Sequence, residues 1–264
     1  NITISNSRDT GTVVIEKEAD PDDNTVFDFT ENIHGGGGMF SLSDPSDNIE
    51  QFDDVPTGSY TVTETAEAGW TLDDLTCDDT GSSGNTGTRT ATIDLDKDEV
   101  ITCVFENSLD TGTITIVKEA IPNDDTLFDF TEDIPGAASG FSLSDPSDNS
   151  ETFSDVPVGS YQVTEAAKSG WTLDGITCVD PDNGSSDTGA TATIDLDDGE
   201  TVTCTFTNSR DQGMIRIVKD ATPADDTEFV FTNDISGNNF TLQDPSGTTA
   251  VFDLVPVGTY TVSE

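Results

Sequence analysis

The chain has 264 residues and a formal net charge of −44, from 53 acidic and 9 basic side chains. Such a charge repels phosphates, which excludes nucleic acid as a partner and disfavours an anionic membrane surface. Two interpretations of the charge remain open: a strongly hydrated surface suited to high salt, where screening shortens the reach of self-repulsion, and binding of divalent cations. No long apolar run occurs, so no membrane insertion is expected in this segment.

The chain repeats itself with a period of about 101 residues, the interval from Lys17 to Lys118 and from Lys118 to Lys219. Because both ends fall inside a repeat, we expect either a piece of a longer array or ends that neighbouring chains complete. The predicted segments are residues 1–10, the last strand of a preceding or partner repeat; 11–111, repeat 1; 112–212, repeat 2; and 213–264, the first half of a third repeat, called half-repeat 3 below.

Within each repeat, short alternating apolar and polar runs are separated by turns rich in Gly, Pro, Asn and Asp, and no helical periodicity is found. This pattern predicts an all-β protein of tandem, immunoglobulin-like antiparallel β-sandwich repeats. In repeat 1 the predicted strands are 12–18, 26–31, 39–43, 50–54, 59–65, 70–76, 89–95 and 100–107, and repeat 2 has the same set shifted by one period.

Each complete repeat carries two cysteines at the same spacing: Cys77 with Cys103, and Cys178 with Cys204. An even count at matched spacing favours one disulfide per repeat and an oxidising, extracytoplasmic setting. Four buried free thiols are the alternative. A zinc site is not expected, since the chain has no CxxC motif and a single histidine, His34.

A lysine, a glutamate and an asparagine recur at inward-facing strand positions. Successive side chains of a strand point to opposite faces, and apolar residues identify the face that is buried. Lys17 shares a face with Val13 and Ile15, and Glu64 and Asn107 continue the apolar faces of their own strands in the same way. Charged groups are rarely buried unless they pair or react, so these positions are the candidate site.

Four segments in this order resemble the B-type repeat of collagen-binding surface adhesins and pilins. They are the Gly-x-[Val/Ile]-x-Ile-x-Lys opening strand, the Gly-[Ser/Thr]-Tyr-x-Val-[Thr/Ser]-Glu strand, Gly69-Trp70-Thr-Leu72, and the terminal Phe-x-Asn. The resemblance covers both complete repeats and both partial ones. It implies a transthyretin-like (prealbumin-like) sandwich, and a spontaneous Lys–Asn isopeptide bond assisted by the glutamate.

The isopeptide bonds that the resemblance implies are Lys17–Asn107 and Lys118–Asn208, with Glu64 and Glu165 as assisting acids. Glu264 has the same place in half-repeat 3, where Lys219 lacks an asparagine; Asn6 lacks a lysine. If chains assemble head to tail, Asn6 of one would meet Lys219 of the next. A buried Lys–Glu ion pair beside a structural asparagine is the alternative interpretation.

These features predict a structural extracellular stalk or filament subunit at the cell surface. Its partners would be like subunits or further repeats, joined head to tail. It is not an enzyme beyond one autocatalytic turnover, and no cofactor or metal ligand is assigned. The alternative is an adhesin module that binds a matrix protein or glycan through acidic loops. Calcium remains open there, although the loops at 94–98 and 195–199 lack EF-hand spacing.

Overall fold

The structure, a computed structural model, describes residues 8–35 and 37–264. The described residues form strands and no helix, so no membrane-spanning helix is found among them. Repeat 1 contains β1 (Thr10–Asp20), β2 (Val26–Glu31), β3 (Gly38–Ser43), β4 (Ile49–Pro56), β5 (Gly58–Glu64), β6 (Trp70–Cys77), β7 (Ser83–Asn85), β8 (Thr90–Leu95) and β9 (Val100–Leu109).

Repeat 2 has the same nine strands, and half-repeat 3 has five. Those of repeat 2 are β10 (Thr111–Ile121), β11 (Phe128–Glu132), β12 (Phe141–Leu143), β13 (Ser150–Pro157), β14 (Gly159–Glu165), β15 (Trp171–Val179), β16 (Ser186–Thr188), β17 (Thr191–Leu196) and β18 (Thr201–Arg210). Those of half-repeat 3 are β19 (Gln212–Val218), β20 (Phe229–Asn233), β21 (Phe240–Leu242), β22 (Thr249–Pro256) and β23 (Val262–Ser263).

Each complete repeat is a sandwich of two sheets, which confirms the predicted fold class. In repeat 1 the strand orders are β4-β1-β9-β6 and β3-β2-β5-β8-β7, and repeat 2 has the equivalent orders. Strands β1 and β9 pair in parallel, with Lys17 opposite Phe105, and β10 and β18 pair in the same way. The other strand pairs described are antiparallel. The first and last strands of a repeat are therefore neighbours in the centre of one sheet.

The core of repeat 1 lies between its two sheets, where alternate residues of each strand are buried. Val13 and Ile15 of β1 are fully buried, and Phe27 and Phe29 of β2 face them from the other sheet. Phe29 packs edge-to-face on Phe105 of β9, with ring centroids 5.1 Å apart. Burial of each such side chain contributes about 1.5–3 kcal/mol.

Half-repeat 3 keeps the first strands of the sandwich. Its sheets are β19-β22 and β21-β20-β23. In the described part of the chain β19 pairs with β22 alone, whereas β1 and β10 each lie between two strands. One edge of β19 is therefore open among these residues.

The structure adds one strand to each complete repeat that the sequence did not predict, β7 in repeat 1 and β16 in repeat 2. Strand β7 lies between the predicted strands 70–76 and 89–95, and it is short, exposed and without apolar alternation. It pairs with β8 at the edge of its sheet, so its hydrogen bonds rather than side-chain burial hold it there. The predicted domain boundaries stay predictions.

Candidate functional site

The lysine, glutamate and asparagine of repeat 1 come from three strands. Lys17 lies on β1 and Asn107 on the neighbouring β9, while Glu64 ends β5 in the opposite sheet. Their exposed fractions are 0%, 3% and 1%, so each side chain points into the sandwich, as the alternation of faces predicts. The equivalent residues of repeat 2 are buried in the same way.

In repeat 2 the three groups are in direct contact. Lys118 Nζ donates a hydrogen bond of 2.6 Å to Asn208 Oδ1, and Asn208 Nδ2 donates one of 2.7 Å to Glu165 Oε1. Lys118 Nζ also lies 3.5 Å from Glu165 Oε2. Its remaining hydrogen bonds, both 2.8 Å, go to the carbonyls of Glu119 and Phe206. The amine is thus held beside the oxygen of the asparagine amide, and the carboxyl lies close to both the amide nitrogen and the amine.

Repeat 1 has the same residues in a looser arrangement. Asn107 Nδ2 donates a 3.1 Å hydrogen bond to Glu64 Oε1. Lys17 Nζ donates to the carbonyl of Phe105, at 3.2 Å, and to that of Glu18. Asn107 Oδ1 is buried and has no hydrogen-bond partner among the described residues. The lysine and the asparagine are therefore neighbours without the direct hydrogen bond seen in repeat 2.

Arg89 is the member of the repeat 1 site that the sequence interpretation missed. Its Nη2 lies 3.2 Å from Glu64 Oε1, and its side chain is only 18% exposed. The corresponding residue of repeat 2 is Ala190, one period later. A comparison of the two repeats position by position would have exposed this difference, because a cation replaces a methyl group there.

Aromatic rings form one wall of the site. Lys17 Nζ lies 4.1 Å from the ring centroid of Phe27, and Lys118 Nζ lies 4.3 Å from that of Phe128. Phe27 packs edge-to-face on Trp70, with centroids 5.4 Å apart. A ring face attracts a cation weakly and excludes water, so these contacts leave the amine in a dry environment.

Burial shifts the protonation equilibria of these groups towards their neutral forms. Burial lowers the pKa of Lys17 to about 8, against the opposing attraction of Glu64 and Asp44. Burial also lowers the pKa of Lys118. The pKa of Glu64 is raised by burial, and Arg89 is the strongest opposing influence. A neutral amine is a nucleophile, and a protonated carboxyl is a hydrogen-bond donor.

Comparison with known proteins identifies the fold family. Residues 13–109 and 114–210 each match the prealbumin-like fold domain. The chain belongs to this family. No curated protein matches the chain.

Two solved structures share the prealbumin-like architecture at low sequence identity. The Bacillus anthracis TIE protein is 19% identical, with a TM-score of 0.54, over 96% of this chain and 45% of its own. The major pilin protein T-13 from Streptococcus pyogenes is 18% identical, with a TM-score of 0.50, over 76% of this chain and 98% of its own. This chain therefore spans less than half the length of the TIE protein.

The predicted disulfides of both complete prealbumin-like domains are present, so the alternative of free thiols is wrong. Cys77 and Cys103 are directly opposite each other on β6 and β9, and Cys178 and Cys204 are opposite on β15 and β18. Each disulfide therefore joins the last strand of its domain to a second strand of the same sheet.

In half-repeat 3 the lysine and glutamate form an ion pair that is only partly buried. Lys219 Nζ lies 3.3 Å from Glu264 Oε2 and 3.9 Å from the ring centroid of Phe229. The side chains of Lys219 and Glu264 are 15% and 47% exposed. Asn6, the predicted partner of Lys219 in another chain, lies outside the described residues.

The acidic loops place one group of three carboxylates together in the described residues. Oxygen atoms of Asp180, Asp182 and Glu200 lie within 4.8 Å of one another. The loop at 94–98, which the sequence offered as a candidate, contributes no such group in the described part of the chain. Asp44 has a structural contact instead, because its Oδ2 accepts a 3.0 Å hydrogen bond from the backbone N–H of Ala19.

Proposed function

We propose that the chain is a structural segment of an extracellular stalk or filament, whose complete domains are stiffened by Lys17–Asn107 and Lys118–Asn208 isopeptide bonds. The observation that carries this proposal is the contact in repeat 2 of amine, amide and carboxyl in one buried site. A buried ion pair beside a structural asparagine would keep the amide nitrogen of Asn208, so the mass of the chain distinguishes the two arrangements.

The proposed reaction balances without a cofactor. The neutral amine of Lys118 attacks Cγ of Asn208, a new C–N bond forms, and the bond from Cγ to Nδ2 breaks. Glu165, whose carboxyl contacts Nδ2 and lies 3.5 Å from the amine, passes a proton to Nδ2, which leaves as ammonia, and takes up the proton that the attacking amine releases. The product is an amide and Glu165 regains its proton. The reaction occurs once per domain, so the chain is not an enzyme in the usual sense.

The cross-link would join the first strand of a domain to its last. Lys118 and Asn208 are 90 residues apart in sequence and lie on neighbouring strands. Closing a loop of that length restricts the unfolded chain and is worth about 4–5 kcal/mol by analogy with disulfides. Tension applied to the domain would then pass through the cross-link rather than through the packed core. Resistance to load is the property that a stalk or shaft requires.

Three observations support the surface location. The disulfides of both domains require an oxidising compartment, and one structural relative is named as a major pilin. The high negative charge suits a hydrated exterior surface.

Intact mass under reducing conditions tests the cross-links. We expect the mass to be lower than the sequence mass by two molecules of ammonia, and fragmentation to locate one cross-link in each complete repeat. Glu165→Gln should retain the ammonia of repeat 2 only, because the glutamine cannot act as the acid. Glu67→Gln, at an exposed position of repeat 1, is the matched control. A full sequence mass in the unsubstituted protein contradicts the proposal.

Half-repeat 3 supports a proposal about assembly. Lys219 already pairs with Glu264, and one edge of β19 is open in the described residues. We propose that this edge receives a strand carrying an asparagine, from residues 1–10 of a like subunit or from a further repeat. Concentrated protein should then form ladders on a denaturing gel. Lys219→Ala should abolish the ladders, and Lys97→Ala, at an exposed site, should not. Persistence of ladders in Lys219→Ala would refute a cross-link at this lysine.

A further inference from the structure

We propose that Arg89 is a positioning residue that slows isopeptide formation in repeat 1, by keeping the Glu64 carboxyl directed away from Lys17 and by opposing its protonation. Repeat 2 has no counterpart and would form its bond first. This inference rests on the proposed function, because it concerns the rate of the same reaction.

Arg89 and Ala190 occupy the same place in their domains. The backbone N–H of Glu64 donates to the carbonyl of Arg89 at 2.9 Å, and that of Glu165 donates to the carbonyl of Ala190 at 3.0 Å. The main chain beside the glutamate is therefore matched in this contact. What differs there is the side chain, a guanidinium in one domain and a methyl group in the other.

The guanidinium acts on the glutamate through charge. Nη2 of Arg89 lies 3.2 Å from Glu64 Oε1, and its Nε and Nη2 make no hydrogen bond of good geometry within the described residues. Both partners are largely withdrawn from water, so the attraction between a cation and a carboxylate is stronger than at the surface. The contact stabilises the ionised carboxylate, whereas the proposed reaction needs the protonated acid.

The arrangement of the two sites agrees with this effect. Glu165 Oε2 lies 3.5 Å from Lys118 Nζ, and Lys118 contacts the asparagine oxygen directly. In the described part of repeat 1, Lys17 Nζ makes neither contact, although the same residue types surround it. Glu64 Oε1 is instead shared between Arg89 and the amide of Asn107.

Arg89 also has an opposing effect, which acts on Lys17. Its charge disfavours the ammonium form of Lys17, which would favour attack. Glu64 and Asp44 both influence the pKa of Lys17 more than Arg89 does, whereas no other charge influences the pKa of Glu64 as much as Arg89. The net effect is a lower population of the neutral amine and protonated acid together.

The test is a timed measurement of both cross-links in the same molecule. The full chain is made by cell-free synthesis in an oxidising buffer and synthesis is stopped. Samples are then denatured in acid at intervals and digested, and the cross-linked peptide of each repeat is quantified by mass spectrometry. Repeat 2 serves as an internal clock. We expect cross-link formation in repeat 1 to lag behind that in repeat 2 on the order of tenfold, because Arg89 opposes proton donation by Glu64.

Three variants separate charge from packing. Arg89→Met, which retains an apolar stem, should remove the lag, and Arg89→Lys, which retains the charge, should preserve it. Ala190→Arg should impose a lag on repeat 2. Formation of the Cys77–Cys103 disulfide in the same digests verifies folding of repeat 1, and Ala190→Arg decides the question if Arg89→Met does not fold.

The outcomes distinguish the two proposals. Equal rates in the two repeats, unchanged by Arg89→Met, would overturn the role of Arg89 and leave the cross-links standing. The same holds if Ala190→Arg folds and couples at the original rate. No cross-link in either repeat of any variant would overturn both proposals.

Discussion

Repeat 2 and half-repeat 3 share their opening strands but differ in the burial of the lysine. In repeat 2, β10 lies between β13 and β18, and Lys118 is fully buried. In half-repeat 3, β19 has a single neighbour in the described residues, and Lys219 remains 15% exposed. The lysine meets its glutamate in both. The last strand is therefore what removes water from the site, and it also carries the asparagine.

The comparison shows that the lysine and glutamate can pair without the asparagine that the proposed reaction needs. Lys219 and Glu264 contact each other beside Phe229 without any asparagine-bearing strand. Arrival of the last strand would supply the asparagine amide and remove the remaining water from the lysine in one step.

The largest effect on stability should come from loss of the proposed Lys118–Asn208 cross-link, which has no equivalent among the described residues of half-repeat 3. Glu165→Gln should lower the free energy of unfolding of repeat 2 by about 4–5 kcal/mol, because the loop between Lys118 and Asn208 is no longer closed. Chemical denaturation followed by Trp171 fluorescence measures it, and Glu67→Gln is the control. An unchanged midpoint in a variant that retains its ammonia would show that the cross-link does not stabilise the domain.

Next in size is the packing of the last strand itself. Phe206→Ala on β18 should destabilise repeat 2 by about 3–5 kcal/mol, because Phe206 is fully buried and packs on Phe130 at 5.2 Å between centroids. Val179→Ala, at an exposed position of the same sheet, should change the stability by less than about 0.5 kcal/mol. Similar losses in the two variants, measured by urea unfolding, would mean that β18 packs less tightly than described.

The disulfides give a further way to separate the complete repeats from half-repeat 3. Paired Cys178→Ser and Cys204→Ser substitutions should lower the free energy of unfolding of repeat 2 by about 3–4 kcal/mol, since a closed loop is lost. Half-repeat 3 has no cysteine, so a reductant should leave its hydrogen exchange unchanged. Calorimetry with and without reductant measures the stability of repeat 2. A melting transition that neither the substitutions nor the reductant lowers would refute the prediction.

The smallest effect is on the pH dependence of a domain that has not reacted. Asn107→Ala leaves Lys17 free to titrate, with a pKa of about 8 when folded and 10.5 as the ordinary value. Between these values the unfolded chain binds more protons, so the free energy of unfolding should rise with pH. We expect a gain of roughly 1–3 kcal/mol from pH 8 to 10.5. The control is the double variant Lys17→Met with Asn107→Ala. If its free energy of unfolding changes with pH as much as that of Asn107→Ala alone, Lys17 is not the source of the pH dependence.

Much of the candidate site could be predicted because alternation along a strand is rigid. Once Val13 and Ile15 were assigned to the core, Lys17 had to follow them inward. The same reasoning placed Glu64 and Asn107, and the matched cysteine spacing predicted both disulfides. These inferences needed only the two-residue alternation of a strand and the apolar residues that mark its buried face. The resemblance supplied the pairing of lysine with asparagine.

Arg89 could not be found in this way, because it lies in the turn before β8, where the alternation of faces does not apply, and it belongs to no repeated pattern. Its contact with Glu64 depends on where a long flexible side chain settles, which sequence period does not determine. Strand β7 escaped prediction for a related reason, since backbone pairing at a sheet edge leaves little trace in the choice of side chains.

The parallel pairing of β1 with β9 has a mechanical consequence of its own. Parallel neighbours run the same way, so the chain enters a domain at one pole and leaves it at the other. Pulling on Gly11 and Leu109 would load this ladder in shear along its length. Before the Lys17–Asn107 cross-link forms, the hydrogen bonds of this ladder would have to rupture together, from the pair Thr12 and Val100 to the pair Asp20 and Ser108. An antiparallel hairpin pulled at its open end instead separates one pair at a time.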